Sequence, residues 1–234
     1  MFLHDRWRPI TDTVGLFRAG VERCAAEYVA WMTPNIGPGS TLESASCPTR
    51  ALGEQLSALC PLMRVGQTRV LLVPCAPGWT ACFTNGWRGT DVSSIVPMLS
   101  VRLDCSALRV TCIRDVLGGS HRRYGARIVA LHRGRQSPAR VVSVANDGGR
   151  WVCFTHGEPL AEEESEWLSL RAVRDRFSAA HLGVLVDRIV PGVWETDAWP
   201  TTGAMLVERI GRLPRSFTEV DLEDVQRDIP EASI

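Results

Sequence analysis

Residues 69–84 read Arg69-Val-Leu-Leu-Val-Pro-Cys-Ala-Pro-Gly-Trp-Thr-Ala-Cys-Phe-Thr84. Two short apolar runs flank Pro77-Gly78, a pair suited to a tight reversal. The stretch is expected to form an antiparallel hairpin, with strands over 69–74 and 79–84. Toward the C-terminus, strand signals resume at 108–113, 124–132, 140–144 and 151–155. The last two flank Asn146-Asp-Gly-Gly149, a strong hairpin turn. Between the second and third strands, residues 93–103 place Ile95, Val96, Leu99 and Leu103 on one helical face. Pro97 is tolerated there only in the first turn, so a helix is expected to cross the sheet.

Toward the N-terminus, Val14, Phe17, Val21, Cys24, Ala25, Tyr28 and Trp31 recur at three- and four-residue steps, which predicts one helix over 13–32. A second helix is expected over 48–59, with Leu52, Leu56 and Leu59 on one face. At the other end, the acids of 162–166 open a predicted long helix with Arg171, Arg174 and Arg176 at its far end, as the helix dipole favours. Another helix is expected over 178–189, a short helix or strand over 203–210, and a loosely held tail from 213. The fold class is therefore α+β, a mostly antiparallel sheet of about six strands flanked by helices. One domain is expected over 1–234: a helical part at 1–62, the sheet with its crossing helix at 63–157, and a helical part with tail at 158–234.

A chain of 234 residues with 45% hydrophobic and 22% charged residues can bury a full core without disulfides or metals. All 26 basic residues are arginine, which reads as a GC-rich coding bias. The formal net charge is zero, so no bulk field draws the molecule to nucleic acid or membrane. Locally the balance is uneven: ten arginines against three aspartates over 102–150, and sixteen acids against eight arginines over 158–234. The eight cysteines include no CxxC pair and sit in apolar runs, so buried free thiols are expected. The start, MFLHDRWRPI, lacks the order of a secretory signal, and the apolar runs are shorter than a membrane span. The expected location is the cytoplasm.

No GxxxxGK[ST], GxGxxG, HExxH or GxSxG motif is present. No two histidines stand at i,i+2 or i,i+4, so no local metal pair, catalytic set or cofactor is expected. His132, His156 and Cys153 fall near predicted strand ends, where a cryptic Cys/His site would need them in contact. The basic run around Tyr124 has a single aromatic, too few to stack single-stranded nucleic acid. Asp91 and Asp147 read as a helix cap and a turn residue. The loop tryptophans Trp87, Trp194 and Trp199 either seal the core or act as interface anchors.

The runs Gly78-Trp-Thr-Ala-Cys-Phe-Thr-Asn85, Asn146-Asp-Gly-Gly-Arg-Trp-Val-Cys-Phe154 and Arg171-Ala-Val-Arg-Asp-Arg-Phe177 resemble a set of uncharacterised bacterial cytoplasmic proteins. Some of these look like immunity proteins of toxin–immunity systems, single-domain proteins that bind and block one toxin. The resemblance spans about 59–185 and its motifs are structural. It implies a binding protein with a protein partner, a cognate bacterial toxin. The expected contact residues are Trp87, Arg88, Asp91, Glu162, Glu163, Glu164 and Glu166. The alternatives are an enzyme with the Cys/His site and a regulatory or scaffold module.

Overall fold

The computed structural model describes residues 5–87, 92–117, 123–194 and 196–228. The hairpin forms as expected: β4 (Arg69–Ala76) turns at Gly78, φ +75°, into β5 (Trp79–Thr84). Three more strands follow the crossing helix α3 (Ile95–Leu103) in an unbroken meander, β6 (Ser106–Leu117), β7 (Arg123–Arg133) and β8 (Arg140–Asp147). The turn at 148–151 then leads into β9 (Val152–His156). Gly148 has φ +78° there, and the Gly149 N–H donates to Asn146 Oδ1 at 2.9 Å.

The sheet has nine strands rather than about six. The additional ones are β1 (Thr13–Phe17), β2 (Ser40–Ser46) and β10 (Met205–Gly211). The order is β2-β10-β4-β5-β1-β6-β7-β8-β9, and every pairing is antiparallel. The predicted helix over 13–32 is thus a correction. Its first part is β1, a strand in the middle of the sheet, and only α1 (Val21–Met32) is helical. All five residues of β1 are buried, because the sheet is covered on both faces here and no polar alternation marks the strand. Gly15 lies under α3, where a Cβ would come within 2.9 Å of Val96 Cγ2. The absent side chain lets the helix approach.

Two apolar layers sandwich this sheet. On one face α1 and α3 pack Cys24, Tyr28, Ile95 and Leu99 onto Phe17, Leu72 and Cys82. On the other, Leu71, Phe83, Leu108, Leu131 and Val142 lie beneath Phe177, Leu182, Leu185 and Val186. That second layer is built from α2 (Leu52–Leu56), α4 (Ser165–Ser169), α5 (Ala179–Ile189) and α6 (Leu222–Asp228). Truncating a fully buried leucine such as Leu185 to alanine is expected to cost about 2–5 kcal/mol.

The C-terminal third departs from expectation in two places. The acidic segment gives only the five residues of α4, because Leu170 turns out into extended backbone at ψ 141°. The tail is held over its described length. The small strand β11 (Glu219–Val220) pairs with β3 (Leu62–Met63), Val225 is fully buried, and Gln226 Nε2 donates to the carbonyls of Arg6 and Arg8. The stretches expected to be helical, 1–62 and 158–234, therefore both contribute strands to the main sheet. No described helix is long and apolar enough to cross a membrane.

Candidate functional site

The residues singled out in the sequence do not gather into one surface. Trp87 is half-buried against the core, with the Arg64 guanidinium 5.5 Å from its ring centre, and its backbone N–H donates to Met63 O at 2.9 Å. Arg88 and Asp91 lie outside the described residues. Trp199 is buried and donates its indole N–H to Val193 O at 3.0 Å. Trp194 lies on the backbone of α5, where a Cβ on Gly183 would meet its ring at 2.6 Å. These two loop tryptophans seal the core.

The glutamates divide as well. The Glu163 side chain is buried and forms a two-pronged pair with Arg140, at 2.7 Å to Arg140 Nε and 2.6 Å to Nη2. Arg140 Nη1 also donates to Gly157 O at 2.7 Å, and the Leu160 N–H donates to Glu163 Oε1 at 3.2 Å. This carboxylate therefore fastens the segment after β9 onto the start of β8 and is not presented to solvent. Glu164 pairs with Arg188 at 2.6 Å near the surface, and Arg188 also bonds the carbonyl of Glu162. Glu166 is exposed. The acidic run is thus partly neutralised from within.

Strand alternation also separates the Cys/His set. Directly opposite residues share a face, so Ala130, Val141 and His156 lie on one side of the sheet. His132, two residues beyond Ala130, is on that side too, whereas Cys153 faces the opposite layer with Val144. Burial pushes His132 below the ordinary imidazole value, and its Nδ1 sits 3.3 Å from Arg135 O. Burial likewise raises Cys24 and Cys75 to about 12, which keeps both as thiols at neutral pH. Three of the cysteines are buried and five are half-buried, none in a disulfide. Among the described residues, no group of three or more His, Cys, Asp or Glu side chains is arranged to hold a metal. A hollow of about 540 Å³ between the first turn and α6 holds Arg6, Asp221, Asp224 and Arg227, and the last two pair with each other.

What the sheet does present is an uncovered face. The α1/α3 layer ends over β6 and β7, and beyond it the same side of β7, β8 and β9 carries no described helix. Two cross-strand rows run over it: Ile113, Ala126, Ala145 and Val152, then Ile128, Ser143 and Phe154, the second row ending inward on Thr111, which is buried and paired with Thr13. Val152 is 52% exposed and Phe154 56% exposed. Large apolar side chains in a short strand normally turn toward a core, and contiguous exposure of this kind marks an interaction surface.

The opposite side of the same strands is rigidly braced. Asp115, buried beside the β6 bulge, lies 2.9 Å from Arg127 Nη2 and 2.5 Å from Arg174 Nε. Arg127 in turn stacks over Trp151, 5.0 Å from its ring centre. Gly125 makes room for both partners: a Cβ would lie 2.7 Å from Asp115 Oδ1 and 2.8 Å from Trp151. Asp115 beside one expected strand and Gly125 inside another are the sequence signals of this cluster, and neither reveals the burial. Comparison with known protein families, curated proteins and solved structures finds no match to the chain.

Proposed function

We propose that the protein acts by binding another protein through the open face of β7–β9, as an immunity-type protein that neutralises a cognate bacterial toxin by direct association. The observation that supports this reading most is the pair Val152 and Phe154, each more than half exposed on a braced three-strand surface. An aromatic anchor on a rigid platform binds with little ordering cost, because the sheet and not the partner fixes its geometry. The half-buried Ser143 interrupts the apolar rows and provides a hydrogen-bonding position within the patch.

The test is whether a toxin domain is encoded beside this chain and, where one is, co-expression with it read as growth rescue, with calorimetric titration of the purified pair. Wild type is expected to rescue growth. Phe154→Glu is expected to weaken binding by about thirtyfold or more, the loss of one anchor. Absence of binding to the adjacent toxin would overturn the immunity reading. Unchanged binding by Phe154→Glu, with loss in Glu164→Arg/Glu166→Arg, would move the contact to the acidic segment.

A further inference from the structure

The outer edge of β9 pairs with no described strand, since β9 is last in the sheet and has only β8 beside it. Edge strands in soluble proteins are normally guarded by charge, proline, a bulge or a covering loop. Val152-Cys-Phe-Thr-His156 carries neither proline nor an acidic or arginine side chain, and its pairing with β8 runs without a bulge. Four of its five residues are exposed. This is an unguarded template for another strand.

We infer that the occupant of this edge is a second copy of the chain, joined by antiparallel pairing of β9 with its own counterpart about a two-fold axis at Phe154. Charge complementarity selects that partner. Arg150 stands exposed just before the strand and Glu158 stands exposed just after it, and neither has an ion-pair partner among the described residues. Antiparallel self-pairing brings the start of one strand to the end of the other. Arg150, two residues before the strand, then lies at the same end of the seam as the second copy's Glu158, just past the Gly157 turn (φ +78°), and the symmetry repeats the pair at the other end. Within the seam, Phe154 lies beside Phe154, Val152 beside His156, and Cys153 beside Thr155, with no like charges opposed. The two open faces merge into one continuous surface of six strands, so a partner bound there would meet a doubled platform. The dimer itself requires no such partner and stands or falls independently of the proposed function.

A five-residue seam is smaller than the roughly 1,600 Å² of a standard interface, so a dissociation constant on the order of micromolar is expected. Sedimentation velocity of the full chain from about 1 to about 200 μM spans that range. The expected result is a concentration-dependent shift from the mass of one chain to twice that mass. Arg150→Glu and Glu158→Arg each are expected to weaken association about tenfold, and the Arg150→Glu/Glu158→Arg double variant to restore it. Phe154→Glu is expected to abolish association, with an unchanged circular dichroism spectrum showing that the fold persists. A chain that stays monomeric throughout overturns the proposal, as does a dimer indifferent to Phe154→Glu or a charge swap that fails to rescue. Toxin binding by a wild-type chain that stays monomeric throughout would leave the proposed function standing while the dimer fell.

Discussion

The two ends of the nine-stranded sheet are both edges, yet they are built from opposite chemistry. At one end β2 reads Ser-Thr-Leu-Glu-Ser-Ala-Ser, with Glu43 exposed and its one large apolar residue, Leu42, packed against the α1 layer. At the other end β9 reads Val-Cys-Phe-Thr-His, with two large apolar residues more than half exposed. Both strands show most of their residues to solvent, so exposure does not distinguish them. Composition does. The β2 end is finished as a surface, and the β9 end is left with apolar area that another chain can cover.

The ion pairs behind each end sharpen this contrast. Behind β9 lies the Arg140–Glu163 pair, with side chains 5% and 6% exposed. Glu163→Ala would strand a buried guanidinium, and about 3–5 kcal/mol of stability should be lost, read by urea denaturation. Beside β2 lies Arg69–Glu208 at 2.8 Å, with side chains 23% and 36% exposed. Water already solvates part of this pair, so Glu208→Ala is expected to cost under about 1 kcal/mol in the same assay. Equal losses at the two ends would erase the distinction. Between these extremes falls Gly125→Ala, whose new methyl would come closer to Asp115 and Trp151 than van der Waals contact allows. Overpacking of that kind should cost about 1–3 kcal/mol.

His132, at the inner margin of the open half, adds a pH dependence. Its folded-state value lies below the ordinary imidazole value because burial disfavours the charged ring, and the positive charge of Arg109 acts in the same direction. The unfolded chain therefore binds the proton more readily. Stability from this site is complete above the unfolded value, and it falls as pH drops from there toward the folded value. Urea midpoints measured from about pH 7.5 to 5 should decline, and His132→Gln should flatten part of that decline. An unchanged slope in the variant would assign the effect elsewhere.

The meander from β6 to β9 was readable in the sequence because its strands alternate and Asn146-Asp-Gly-Gly149 marks the turn. β1 was not readable. Its buried run continues without a break into the apolar periodicity of α1, and a strand covered on both faces carries no period-two signal. β2 was missed for the reverse reason, since a polar edge strand resembles a loop. The open face was invisible for a third reason. Val152 and Phe154 alternate in β9 as Val142 and Val144 do in β8, but the β8 pair faces the layer that contains α5, whereas the β9 pair faces the side where the α1/α3 layer stops short. Sequence pattern records that a strand has an apolar side, not whether a helix arrives to cover it.

The smallest effect on stability comes from the change that bears most directly on this difference. Phe154→Glu gives the β9 edge the guarding charge that β2 already has. The side chain is more than half exposed in the single chain, so its replacement removes little buried area, and folding stability should change by no more than about 0.5 kcal/mol. Binding of a hydrophobic dye to the native protein should nevertheless fall, because the apolar rows of β7–β9 lose their largest member. Placing phenylalanine at Glu43 provides the reciprocal test, since it opens the guarded edge and should raise dye binding. If Phe154→Glu instead costs as much as a core substitution, Phe154 is buried in the working protein, and the asymmetry between the two edges belongs to the isolated chain alone.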